Sequence, residues 1–91
     1  MLHIIRQAYP SDAFERCLEQ LDTKDHVVLI EDAVYALTRH DPRLQALQEQ
    51  QRLHIVQADI EARGMSIASD MQIDYSGLVK LTAVYSPIVT W

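Results

Sequence analysis

A chain of 91 residues is the size of one small domain, and its stability margin is thin because so short a chain buries little more than ~60% of its unfolded surface. A formal charge of -5 weighs against binding nucleic acid alone, since a surface that tracks phosphates needs clustered Lys and Arg. The single cysteine, Cys17, excludes an intrachain disulfide and a multi-cysteine metal site.

The opening stretch "LHIIR" (2–6) predicts a first strand almost at the first residue. "AYPSDAFERCLEQLD" follows with Pro10, Ser11 and Asp12 as helix-start signals. Phe14, Cys17, Leu18 and Leu21 are spaced i, i+3, i+4, i+7, which is one helical face. After the polar turn "TKD" (23–25), "HVVLI" (26–30) is a β-branched run expected of a strand covered on both sides.

That strand ends on Glu31-Asp32, with Asp32 placed to cap a helix through Ala33–Leu37. Strand ends are where small α/β domains hold ligands. Two carboxylates there repel phosphate, and the lack of glycine denies a backbone cradle, so no mononucleotide site is expected. Asp41-Pro42 breaks the helix and starts another, with Leu44 and Leu47 inward.

"RLHIVQA" (52–58) predicts a third strand. "DIEARGM" (59–65) predicts a short helix capped by Asp59, laced by an Asp59–Arg63 pair and stopped by Gly64. "MQID" (71–74) predicts a fourth strand and "YSGLVKLTAVY" (75–85) a last helix, ended by Pro87 and followed by the tail "IVTW". The order βαβαβαβα implies an α/β fold, a single domain over residues 1–91 with a mainly parallel sheet and helices on both faces. No apolar run is long enough to span a bilayer and "MLHII" is too short for a signal peptide, so a soluble, cytoplasmic protein in a reducing compartment is expected, with no membrane partner.

Five segments in order, "MLH", "LIEDAVYA" (29–36), "ADIEARGM" (58–65), "IDYSGLVKLT" (73–82) and Trp91, resemble the TusB/DsrH family of DsrE/DsrF/DsrH-like sulfur-relay proteins, most nearly its TusB members. The family usually has Gly after the Glu-Asp pair, where this chain has Ala33. The resemblance implies a DsrE/F/H-like fold and a heterohexamer with TusC-like and TusD-like subunits. In the Tus branch such a complex passes persulfide sulfur from an upstream to a downstream carrier for 2-thiolation of the tRNA wobble uridine, without this chain touching the RNA. In the Dsr branch it serves sulfur oxidation. In both branches the principal sulfur-carrying cysteine lies on another subunit. The implied role is therefore a non-catalytic subunit of a sulfurtransferase complex, with no cofactor and no metal.

Cys17 is the candidate catalytic residue, because DsrH-type members carry a cysteine in this first helix and could load it with persulfide. The preferred alternative is a small buried hydrophobe on the Phe14/Leu18/Leu21 face. Glu15 and Glu19 beside it raise rather than lower its pKa, and Arg16 compensates only in part. Glu31, Tyr35, Arg63 and Trp91 are the candidate partner-binding residues. Trp91 either packs back on the domain or docks on another subunit, and the family architecture favours docking. His3, His26, His40 and His54 show no ligand spacing, although His3 and His54 fall in strands expected to be neighbours. A Cys17–His3 dyad and a free-standing small-molecule-binding domain are the weaker alternatives.

Overall fold

The computed structural model describes residues 1–67 and 69–91. Five parallel strands form the sheet: β1 (Leu2–Ile5), β2 (His26–Leu29), β3 (Leu53–Val56), β4 (Gln72–Ile73) and β5 (Ile88–Thr90), in the order β4-β3-β2-β1-β5. The chain steps from β1 out to β4, then returns past β1 to lay down β5. Right-handed crossovers put connections made in opposite directions on opposite faces, and the two apolar clusters follow that rule.

On one face, Ile5, Val27, Leu29, Leu53 and Ile55 pack beneath four elements. These are α1 (Asp12–Gln20), a 3-10 helix (Glu31–Arg39), α2 (Pro42–Glu49) and α3 (Gln57–Ala62). On the other face, Leu2, Val28 and Val56 form a smaller cluster with Ile4, Ile30 and Ile73, covered by Leu78, Leu81 and Tyr85 of α4 (Tyr75–Val84) and its end. The sheet is thus packed on both sides, but unequally.

Local chemistry explains most element ends. Ser11 caps α1 by accepting the Phe14 N–H at 3.1 Å. Asp41 caps α2 through the Arg43 N–H, with Pro42 in the first helical position where its missing donor costs nothing. The Arg43 guanidinium spans from Asp41 to both carboxylate oxygens of Glu15, at 2.7 and 2.9 Å, and so ties α2 to α1. Gly64 follows α3 at φ +64, the left-handed conformation that glycine adopts without a Cβ clash.

Three expectations need correction. Asp32 is not a cap: the 3-10 helix starts two residues earlier than expected, after Ile30, with no side-chain cap bond. Asp59 does not cap α3 either, because Val56 occupies that position and Asp59 lies in the first turn. Nor is "IVTW" a free tail. Ile88–Thr90 pairs with β1 in register Leu2↔Ile88 and Ile4↔Thr90, giving a fifth strand.

Candidate functional site

The loops at the carboxyl ends of β1, β2 and β3 bring together Arg6, Glu31, Asp32, Tyr35, Asp59 and Arg63. Glu31 has φ +52, a conformation uncommon outside glycine, asparagine and aspartate. The two adjacent carboxylates diverge. Glu31 pairs with Arg6 at 3.3 Å, and Asp32 accepts from Arg63 at 2.9 and 3.2 Å. Arg63 also bonds the Asp59 carbonyl, lies 3.6 Å from the Asp59 carboxylate and sits over the Tyr35 ring at 5.9 Å. Hydrogen bonding to Asp32 raises the Arg63 pKa further above its ordinary value. Ala33 lies inside the 3-10 helix and is fully buried, so the turn here bends at Glu31.

This is a surface of paired charges around one half-exposed aromatic ring, with both carboxylates engaged by guanidinium groups. The point between β1 and β5 where the strand order reverses is where such sheets hold ligands. Here the β1–β5 pairing continues past the strand ends, the Arg6 N–H donating to the Trp91 carbonyl and the Trp91 N–H to the Ile4 carbonyl, at 2.9 and 2.7 Å.

Trp91 lies apart from that cluster. Its indole N–H donates to Nδ1 of buried His3 at 3.2 Å, and its ring packs half-buried against the larger core. His3 in turn meets Asp25 at 2.9 Å through Nε2. Burial pushes the Asp25 carboxyl up, but the Asp22 amide, His3 and the Met1 amine outweigh it and hold the pKa at about 2.

Cys17 is fully buried in the core with Phe14. Burial, helped by the charge of Asp25, pushes its thiol up to about 12. A group in that state is neither accessible nor ionised at neutral pH. His3 engages Asp25 and Trp91 rather than Cys17.

His3 and His54 are not neighbours. β2 lies between their strands, and they project to opposite faces of the sheet. His54 instead meets His26, Nε2 to Nδ1 at 2.9 Å, and the His26 ring stacks on Tyr85 with centroids 3.9 Å apart. Burial lowers both imidazole pKa values, that of His54 to about 4. This contact depends on the register Val28↔His54, and no residue spacing announces it.

Among the described residues no group of three or more His, Cys, Asp or Glu could hold a metal ion. A cavity of about 140 Å³ lies between the 3-10 helix and α2, floored by Leu37, Leu44, Leu53 and Met71, and none of Cys17, Glu31, Tyr35, Arg63 or Trp91 lines it. No described helix is long and apolar enough to cross a membrane.

The chain is a five-stranded parallel α/β domain with paired charges at its strand ends and its one thiol inside. The family model described as "DsrH like protein" matches residues 7–87. The chain belongs to the TusB/DsrH family of sulfur-relay proteins. No curated protein matches it.

Proposed function

We propose that this chain is a non-catalytic subunit of a sulfur-relay heterohexamer, assembled with TusC-like and TusD-like subunits. In this reading the complex passes persulfide sulfur between an upstream and a downstream carrier for 2-thiolation of the tRNA wobble uridine. The observation that carries the non-catalytic assignment is the state of Cys17, fully buried and with its pKa raised to about 12. A persulfide acceptor attacks as a thiolate from an accessible position, and this thiol meets neither condition. The family match supplies the sulfur-relay setting. The candidate partner-binding residues in this reading are Glu31, Tyr35 and Arg63 at the strand ends, with Trp91 stabilising the strand beside them.

The test is the native mass of the chain purified gently from its own cells. Two other small chains of the same superfamily in equal ratio are expected, with no extra sulfur on this chain. A monomer or homodimer would sink the proposal. Extra sulfur on Cys17 within the complex would instead favour a DsrH-type subunit of a sulfur-oxidation complex.

A further inference from the structure

Three rings, His54, His26 and Tyr85, join the sheet to the helix that covers its thinner side. His26 Nδ1 and His54 Nε2 lie 2.9 Å apart, so one N–H and one lone pair fill the gap between them. Tyr85 lies against the flat of the His26 ring, with centroids 3.9 Å apart and planes 23° from parallel. Tyr85 directly follows α4, and its amide donates to the Leu81 carbonyl to end the helix.

The helix is lightly held. No residue of α4 is buried, and Leu78 and Leu81, with Tyr85 at its end, are what pack on Leu2, Val28 and Val56. Segments with little buried surface open locally before the whole fold does. β4 pairs with β3 ahead of α4, and β5 pairs with β1 after it, so the helix is tethered at both ends.

The imidazole pair accommodates one proton but not two. An imidazolium can still donate to a neutral neighbour, whereas a second proton puts hydrogen on both facing nitrogens and turns the bond into repulsion. The surrounding charges do little to offset it. Ahead of β1 and β2 stand the Met1 amine and Asp25, and Asp25 is already engaged by that amine and by His3. Arg52, just before β3, adds a further positive charge beside His26. α4 carries Lys80 as its one charged residue and no carboxylate. Asp70 borders the same cavity as His54 but is exposed to water.

We propose that His26, His54 and Tyr85 form an acid-released latch: in mild acid a second proton parts the imidazole pair, Tyr85 loses its seat, and α4 lifts from the sheet while the larger core stays folded. The released state presents Leu2, Val28 and Val56 to solvent. Its imidazoles are solvated and titrate near the ordinary value of about 6.5, whereas burial and His26 hold that of His54 at about 4 in the closed state. The open form therefore binds more protons, and its population grows as the pH falls from about 6.5 toward 4. This places the acid response in one helix rather than in the fold as a whole.

The test follows amide hydrogen exchange of the full chain by NMR across that range, corrected for the intrinsic pH dependence of exchange, together with the imidazole shifts of His26 and His54. The opening constant over residues 75–85 is expected to rise at least about tenfold between pH 6.5 and 4.5, and to stay larger than that of α1 throughout. An apolar dye such as anilinonaphthalene sulfonate should bind over the same range. His54→Gln keeps a neutral partner beside His26 and should remove most of the rise. Tyr85→Ala should raise exchange over 75–84 several-fold at neutral pH and leave α1 unchanged. Equal opening constants for 75–85 and α1, or no rise in the wild type, would overturn the latch. A full rise retained in His54→Gln, or Tyr85→Ala exchanging like wild type, would also overturn it. Should His54→Gln fail to fold, the wild-type shifts decide: a His54 imidazole titrating near 6.5 in the closed chain overturns the proposal, and one titrating well below that value supports it.

Discussion

The indole N–H of Trp91 donates to Nδ1 of His3 at 3.2 Å, which fixes where the imidazole keeps its proton. Nδ1 must present a lone pair, so Nε2 carries the hydrogen and donates it to the Asp25 carboxylate at 2.9 Å. The contact joins the residue after β5 to β1 and to the turn that precedes β2. Trp91→Phe keeps an aromatic ring but leaves Nδ1 of a buried histidine without a donor. The expected cost is about 1–3 kcal/mol, read as a lower urea midpoint. An unchanged midpoint would show that water replaces the indole and that Trp91 is available for another role.

The same network sets behaviour in acid. The folded-state pKa of Asp25 is about 2, below the ordinary carboxylate value, so its contribution is complete above that ordinary value and is lost as pH falls toward 2. Asp25→Asn should remove this part of the acid sensitivity, along with the part of stability that Asp25 gives at neutral pH. Measured against wild type, the difference in unfolding free energy should shrink between pH 4 and pH 2. A constant difference would contradict it.

The His26–His54 pair acts at higher pH. The folded pKa of His54 is depressed to about 4 by burial and by the neighbouring His26. The unfolded chain therefore binds more protons between about pH 6.5 and 4, and stability falls as the pH drops through that window. His54→Gln removes this titration, so the stability curves of variant and wild type should converge as pH falls from 6.5 to 4. His26 moves in the same direction, with burial first, then Arg52 and the Met1 amine lowering its pKa against the raising effect of Asp25. Parallel curves for the two proteins would mean that His54 titrates normally.

What was legible in the sequence follows from how local each signal is. β1, β2 and β3 are β-branched runs bounded by polar turns, and the α1 face from Phe14 to Leu21 shows its period directly. β5 escaped because three residues after Pro87 carry no alternation of their own, and only hydrogen bonding to β1 makes them a strand. The partners of the histidines were illegible for a related reason. Whether His54 meets His3 or His26 depends on strand order and on the face each side chain takes, and neither is written within a strand. Asp32 looked like a cap because it stands before an apolar run, but the left-handed Glu31 turns its carboxylate toward Arg63 on another element.

Arg63 separates assembly from stability. Its contacts to Asp32 and Asp59 lie near the surface, where such pairs contribute little to folding. Arg63→Ala should leave the denaturant midpoint close to that of wild type. If Arg63 and Tyr35 form part of a subunit contact, the same substitution should raise the dissociation constant of the purified complex. A large loss of stability with unchanged assembly would mark Arg63 as an internal strut and remove it from the interface.

Cys17 gives the sharpest discrimination between a structural and a chemical role. The thiol sits with Phe14 inside the larger core, and burial together with the charge of Asp25 holds its pKa at about 12. At pH 7.5 only about one thiol in ten thousand or fewer would be ionised, and none is in contact with solvent. Iodoacetamide should therefore label the native protein only as fast as the core opens, and should label it readily in concentrated urea. Cys17→Ala removes a well-packed sulfur and should cost about 1–2 kcal/mol, with Cys17→Ser costing at least as much because it buries a hydroxyl. Both variants should still deliver sulfur once assembled, in proportion to the complex they form. Rapid labelling under native conditions, or full assembly of Cys17→Ser with sulfur transfer lost, would instead place the thiol in the relay.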